Sequence, residues 1–179
     1  VEPPLADADA EEIAAYPFPV VPEENPRNAS LVERAKKLHE ENQYAVVARS
    51  VHSASFLELG CWLRGFEDFF CDLVTQSEEA EILLDKVMNT QIAYYRSFLK
   101  DIGPYVDIVE TSEDYGTQKS LFLSPETYRT MIQPRRMKIN AAIHEYAPQA
   151  KIFHHTCGAV RKLIPDLIAS GIDILNPIQ

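Results

Sequence analysis

The residues best suited to chemistry stand at the close of a short apolar run, His154-His155-Thr156-Cys157-Gly158. An imidazole and a thiol two residues apart, at the end of an extended segment, can turn toward one point. Neutral imidazole and thiolate are the ligand types best suited to Zn²⁺, at ~2.0–2.3 Å, and three protein ligands leave a fourth position for catalysis. The plainer reading is a hydrogen-bonded core histidine beside a cysteine that packs as a small hydrophobe. A second cluster, Thr111-Ser112-Glu113-Asp114-Tyr115-Gly116-Thr117-Gln118, sets two acids next to a phenol. Such a group can orient a cationic or hydroxyl-bearing substrate, polarise a metal-bound ligand or hold a catalytic proton; its plainer reading is a solvated loop. Arg64 offers a planar two-pronged donor for a carboxylate or phosphate, or else an ion pair with Glu67 or Asp68 that fixes a helix turn. His52, in the polar loop 50–55, is a further candidate.

Both clusters end predicted strands. Residues 151–155 read as a buried strand, 159–169 as a helix stopped by Ser170-Gly171, and 172–175 as a second strand, the βαβ unit of a parallel sheet. Ligands bind at the carboxyl ends of such strands, where His154, His155 and Cys157 fall. Two more strands are expected at 44–49 and 105–110, the second preceded by the helix-ending Gly103-Pro104.

Helices fill the intervals. Residues 29–42 place Leu31, Ala35 and Leu38 on one side, with Asn28 or Ser30 as cap. Residues 56–75 read as two short buried helices interrupted at Gly60 and Gly65, with Cys61 and Cys71 in the core. Ser77 caps the longest helix, whose apolar positions run from Ala80 through Leu84, Val87, Met88, Ile92 and Tyr95 to Leu99. Ser124-Pro125-Glu126 starts another, reaching about residue 146 with a kink at Pro134. Within it, Arg135, Arg136 and Lys138 read as a solvated basic face. Residues 1–28 form a Pro-rich connecting arm in which Asp7 or Asp9 caps a short helix to Ala15. Residues 29–179 form the folded domain, α/β with parallel strands.

Composition narrows the partners. The 179 residues, 46% hydrophobic and 25% charged, suffice for one globular domain with a sizeable core. A net charge of −10 argues against nucleic acid or an anionic membrane surface. No apolar run approaches the ~18 residues of a membrane helix. Three cysteines, an odd number without zinc-finger spacing, suit a reducing, cytoplasmic compartment.

The separated runs Pro4-Leu5-Ala6-Asp7, Leu63-Arg64-Gly65-Phe66-Glu67, Asp114-Tyr115-Gly116-Thr117-Gln118, Ser124-Pro125-Glu126-Thr127-Tyr128, His154-His155-Thr156-Cys157-Gly158-Ala159-Val160 and Gly171-Ile172-Asp173-Ile174-Leu175-Asn176-Pro177 stand in one order along the chain. Together they resemble the uroporphyrinogen decarboxylase (URO-D) superfamily, and within it the cobalamin-dependent methyltransferase branch. The resemblance implies a (β/α)₈ TIM barrel of which four strands, about half, are present; the chain is then expected to be a central fragment of a longer protein, pairing as at least a homodimer. It implies metal ligands at His155 and Cys157, completed by a downstream Cys outside this sequence. It marks Asp114 and the Gly116-Thr117-Gln118 that follows as lining the cleft, with Tyr115 where the family often has Leu; Asp114, Glu113 and Tyr115 are then the expected catalytic groups, and Arg64, Thr117 and Gln118 the expected substrate contacts. Trp62 and Phe66 fall near the cleft mouth.

Three functions are open. Zn²⁺ at His155 and Cys157 would hold a thiol as thiolate to accept a methyl group from a corrinoid or another methylated small molecule. Tetrapyrrole decarboxylation, the uroporphyrinogen decarboxylase reaction of porphyrin biosynthesis, needs no metal and relies on an Asp and cationic groups; the decarboxylases proper do not carry His-x-Cys-Gly at this strand. A catalytically inert half-barrel module is the third.

Overall fold

The computed structural model describes residues 2–22, 28–49 and 55–178; His52 lies outside them. The chain runs α1 (Ala10–Ala15), α2 (Asn28–Glu41), β1 (Val47–Ala48), α3 (Phe56–Arg64), α4 (Phe66–Thr75), α5 (Glu78–Ile102), β2 (Ile108–Ser112), α6 (Pro125–Thr127), α7 (Gln133–Tyr146), β3 (Lys151–His155), α8 (Ile164–Ala169) and β4 (Ile174–Asn176). The four strands are all parallel and pair in the order β1-β2-β3-β4. Strands in sequence order, joined by helices, form an arc of the (β/α)₈ barrel.

Strand boundaries shift from expectation for local reasons. The segment 44–49 pairs only at Val47–Ala48, because Val46 gives its carbonyl to the Asp107 and Ile108 amides and its own amide to the Asp107 carboxylate at 2.8 Å. A tight turn at Gly103–Tyr105 prolongs α5, so β2 starts at Ile108 instead of 105 and takes in Thr111 and Ser112. Asp173 caps the Ile152 amide at 2.9 Å and pairs with Lys151 at 3.0 Å, which delays β4 to Ile174. The helix expected from 159 begins with a turn at Arg161–Leu163 and becomes regular only at Ile164, with Pro165 in its first turn.

Side chains alternate across the sheet. Val109, Thr111, Ile152 and His154 are buried on one face, whereas Ile108, Glu110, Ser112, Phe153 and His155 on the other are half-buried. α5 supplies the largest share of the core from any one element, with Leu83, Leu84, Val87 and Leu99 buried, and it packs along α7. The Pro-rich arm joins this core: Asp9 caps α1 in a capping box with Glu12, and Leu5 and Ile13 are fully buried. α2 is less committed, since only Ala35 of its expected apolar face is buried and Leu31 and Leu38 remain exposed.

Gly60 does not interrupt α3. It lies inside the helix, where a Cβ would stand 2.2 Å from the Phe69 ring, so its small size sets the α3–α4 contact. The break is at Gly65, with φ +99°. Cys61 is half-buried and packs against the core, whereas Cys71 is exposed and does not.

The largest departure concerns the basic run. Arg135 and Arg136 are 5% and 1% exposed, and only Lys138 is solvated. In place of a simple kink at Pro134, a π-helical turn at Tyr128–Ile132 precedes α7. Arg135 bonds Asp85 at 2.7 Å and pairs with Glu81, linking α7 to α5. Arg136 enters the space between the helices and the sheet.

His154 shares that space, its Nδ1 2.7 Å from Thr111 Oγ1 and its ring stacked near Tyr115. Burial, and then the guanidinium of Arg136 with the neighbouring imidazole of His155, hold its pKa well below the ordinary value. The unfolded chain therefore binds a proton near pH ~6.5 that the folded chain refuses, and stability declines as pH falls below that point by about 1.4 kcal/mol per pH unit. A His154→Gln variant should lose this share of acid sensitivity, read as a smaller difference in denaturant midpoint between about pH 7.5 and about pH 5.

Candidate metal centre

The loops after β2 and β3 are sewn together by backbone. Glu113 N donates to His155 O at 3.0 Å, Ala159 N to Thr117 O at 2.8 Å, and Tyr115 N to Thr156 Oγ1 at 3.2 Å. Gly158 makes this approach possible. Its φ is +94°, and a Cβ there would stand 2.2 Å from the Gly116 carbonyl oxygen. The glycine that follows the His-x-Cys pair is thus the contact surface between the two loops.

This seam brings together Asp114, His155 and Cys157, whose ligand atoms lie within 4.8 Å of one another. Cys157 Sγ is 3.3 Å from His155 Nε2. His155 Nδ1 is 2.9 Å from Asn176 Oδ1 on β4; an N–H there donates to Asn176 and leaves the Nε2 lone pair aimed at the sulfur. Asp114 Oδ1 accepts from the Cys157 amide at 2.7 Å, which holds the carboxylate beside the thiol. Partial burial, the charge of Asp114 and a hydrogen bond with it push the Cys157 thiol above its ordinary pKa. A thiol so raised is a poor free nucleophile at neutral pH, and a cation is what would reverse the shift. One nitrogen, one sulfur and one carboxylate oxygen fit a three-ligand zinc site with an open position. The sequence reading placed Asp114 in the cleft, and the third donor-type atom beside the His-x-Cys pair is its carboxylate oxygen.

Beneath the centre lies a buried ion pair. Glu113, 3% exposed, accepts from the amides of Phe56 and Leu57 at 2.9 and 2.7 Å and from Arg136 at 3.2 Å. Arg136 also donates to Ser55 Oγ at 2.8 Å and lies over the Phe56 ring. Burial raises the Glu113 carboxyl above its ordinary pKa, against the opposing pull of Arg136 and the two amides. Glu113 therefore anchors the start of α3, and its carboxylate is spent on that task.

A cavity of about 450 Å³ opens from the centre toward α3 and α4, with His155 and Asp114 at one end and Trp62, Phe66, Phe70 and Phe122 along its wall. Trp62 and Phe66 thus stand at the mouth as expected; Arg64 does not. Its guanidinium bonds Asp72 at 2.9 Å, not Glu67 or Asp68, and the carbonyls of Leu5 and Ala8 at 2.8 and 2.5 Å, which ties the arm to α3 and α4. Tyr115 turns into the core, fully buried against Tyr128 and His154, where burial pushes its phenol well above the ordinary pKa. The Thr117 hydroxyl closes its own turn on Ser120, and Gln118 stands exposed at that turn, away from the cavity. The sequence reading missed Asn176 and Arg136. Asn176 had a signal in its strand-end position next to His155; Arg136 had none apart from the neighbouring Pro134.

A family model for uroporphyrinogen decarboxylase (URO-D) matches residues 1–177. No curated protein and no solved structure matches the chain.

Removing one member of a buried pair leaves the other charge unsatisfied. Arg136→Met is expected to destabilise the fold by about 3–5 kcal/mol, whereas the double change Glu113→Gln with Arg136→Met should regain a large part of that loss. Denaturant unfolding of the two variants reads the difference, and equal losses would deny the pair its anchoring role.

Proposed function

The chain belongs to the uroporphyrinogen decarboxylase family, and from that premise we propose that Asp114, His155 and Cys157 hold a zinc ion for methyl transfer to a thiol. The observation that carries this reading is the convergence of three different donor atoms at the carboxyl ends of β2 and β3. When bound, zinc supplies a positive charge that keeps an acceptor thiol as thiolate at neutral pH. The remaining work belongs to the chain. Asn176 fixes the ring of His155 so that Nε2 faces the centre, and the Cys157 amide steadies Asp114. The methylated donor, a corrinoid or a smaller molecule, approaches from the cavity side. Sulfur attacks the methyl carbon, and the bond to its former carrier breaks with the electron pair leaving on the carrier.

Decarboxylation of a tetrapyrrole is supported less well. That reaction needs cations to hold ring carboxylates, and among the described residues no Lys or Arg lines the cavity. The guanidinium of Arg136 is already engaged by Glu113 and Ser55. Association of at least two copies through the open edges of the sheet belongs to the same proposal, as does a reducing compartment for the three free cysteines. Among the described residues, no helix is long and apolar enough to cross a membrane.

Metal titration tests the centre. Apoprotein should take up about one zinc per chain. Cys157→Ser and His155→Ala should each weaken that uptake by at least ~100-fold, and Asn176→Ala by about tenfold, in competition with a chromogenic chelator. Uptake unaffected by Cys157→Ser would overturn the assignment.

A further inference from the structure

We propose that the cavity beside the centre is a site for a methylated onium cation, a quaternary ammonium or sulfonium group, which is the methyl donor. The inference rests on the methyl-transfer reading for its chemistry, but the binding it asserts stands on other residues. Trp62, Phe66 and Phe122 are 57%, 63% and 39% exposed, large apolar side chains gathered at one mouth. Phe70 joins them, its ring centroid 4.8 Å from Phe66 and 6.2 Å from Phe122. Rings left in water at such a density mark a surface made to be covered. Their faces carry the negative part of the aromatic quadrupole, which attracts a positive charge spread over methyl groups.

Charge in the cavity has the same sign. Glu58 and Asp114 line it, and among the described residues no Lys or Arg does. Cys61, in the same wall, has its thiol pushed up to about 11 by burial and then by the charges of Glu113 and Glu58. A polycarboxylate would meet repulsion here. A primary ammonium is too strongly hydrated to gain from the rings, and a neutral apolar ligand would gain nothing from Glu58. An onium cation uses both the rings and the acids. About 450 Å³ suits a small molecule of this kind. The transfer balances: the acceptor thiolate attacks an onium methyl carbon, the carbon–nitrogen or carbon–sulfur bond breaks with its electron pair retained by the heteroatom, and a neutral amine or thioether leaves. The acceptor becomes a methyl thioether, its proton having passed to solvent.

Trp62 is the single tryptophan of the chain, so its fluorescence reports on this cavity. Metal-free full chain is titrated with tetramethylammonium, with neopentyl alcohol as a neutral probe of similar shape, and with pyromellitate as a tetracarboxylate. Tetramethylammonium should saturate the signal roughly tenfold more tightly than the neutral alcohol, and pyromellitate should give no saturable change. Glu58→Gln and Phe66→Leu, both at exposed positions, should each narrow the gap to about threefold or less. Equal affinity for cation and alcohol, tighter binding of pyromellitate, or no saturable binding of any probe would overturn the proposal. The His155→Ala, Cys157→Ser double variant separates it from the zinc reading: onium binding that survives there leaves this site standing even where zinc uptake fails.

Discussion

A carboxylate that cannot reach water organises this molecule. Glu113 is the first residue past β2, and its two oxygens take the first amides of α3 together with the guanidinium of Arg136 from α7. Two charges buried together repay their desolvation only when nearly every lone pair and proton is used. That demand fixes three elements at one point. The position of α3 decides where Trp62 stands, and the end of β2 decides where Asp114 stands, so the wall of the cavity and one ligand of the centre are set by a single buried contact.

The centre itself exploits the pleat of one strand. His154 and His155 are adjacent in sequence, yet alternation sends the first into the core against Thr111 and the second outward to Cys157 and Asn176. Two chemically identical side chains thus have opposite duties. One is held neutral by burial, while the other is presented at the strand end where the neighbouring loops converge.

Much of this was legible in the sequence because it depends on local pattern. The strand Lys151–His155, the Ser77 and Ser124 caps, the long helix and the pairing of an acidic loop with the His-x-Cys run all follow from periodicity, capping chemistry and the order of elements. What could not be read depends on contacts distant along the chain. Arg136 lies in a run of Arg135, Arg136 and Lys138 that has the composition of a wet surface, and only its partner Glu113, just past β2, reveals it as interior. Tyr115 and Arg64 carry groups able to do chemistry, but the residues that bury the one, His154 and Tyr128, and the arm carbonyls that bind the other come from remote segments. The Glu113–Asp114 pair shows the limit most plainly, since adjacent acids of equal intrinsic chemistry separate into an anchor and an exposed donor.

The widened turn at Tyr128–Ile132 has a further meaning for how this helix tolerates change. Successive residues of an α-helix are rotated by about 100° around its axis, and a π turn accommodates one residue more than a regular turn does. The surplus residue is taken up inside the turn, so the capped start at Ser124 and the inward-facing arginines keep the phase of one continuous helix. Removing one residue of the turn would let the backbone close into regular helix with Arg135 and Arg136 still facing their carboxylates. The bulge is thus a place where this helix absorbs a change of length without turning its interior side chains toward solvent.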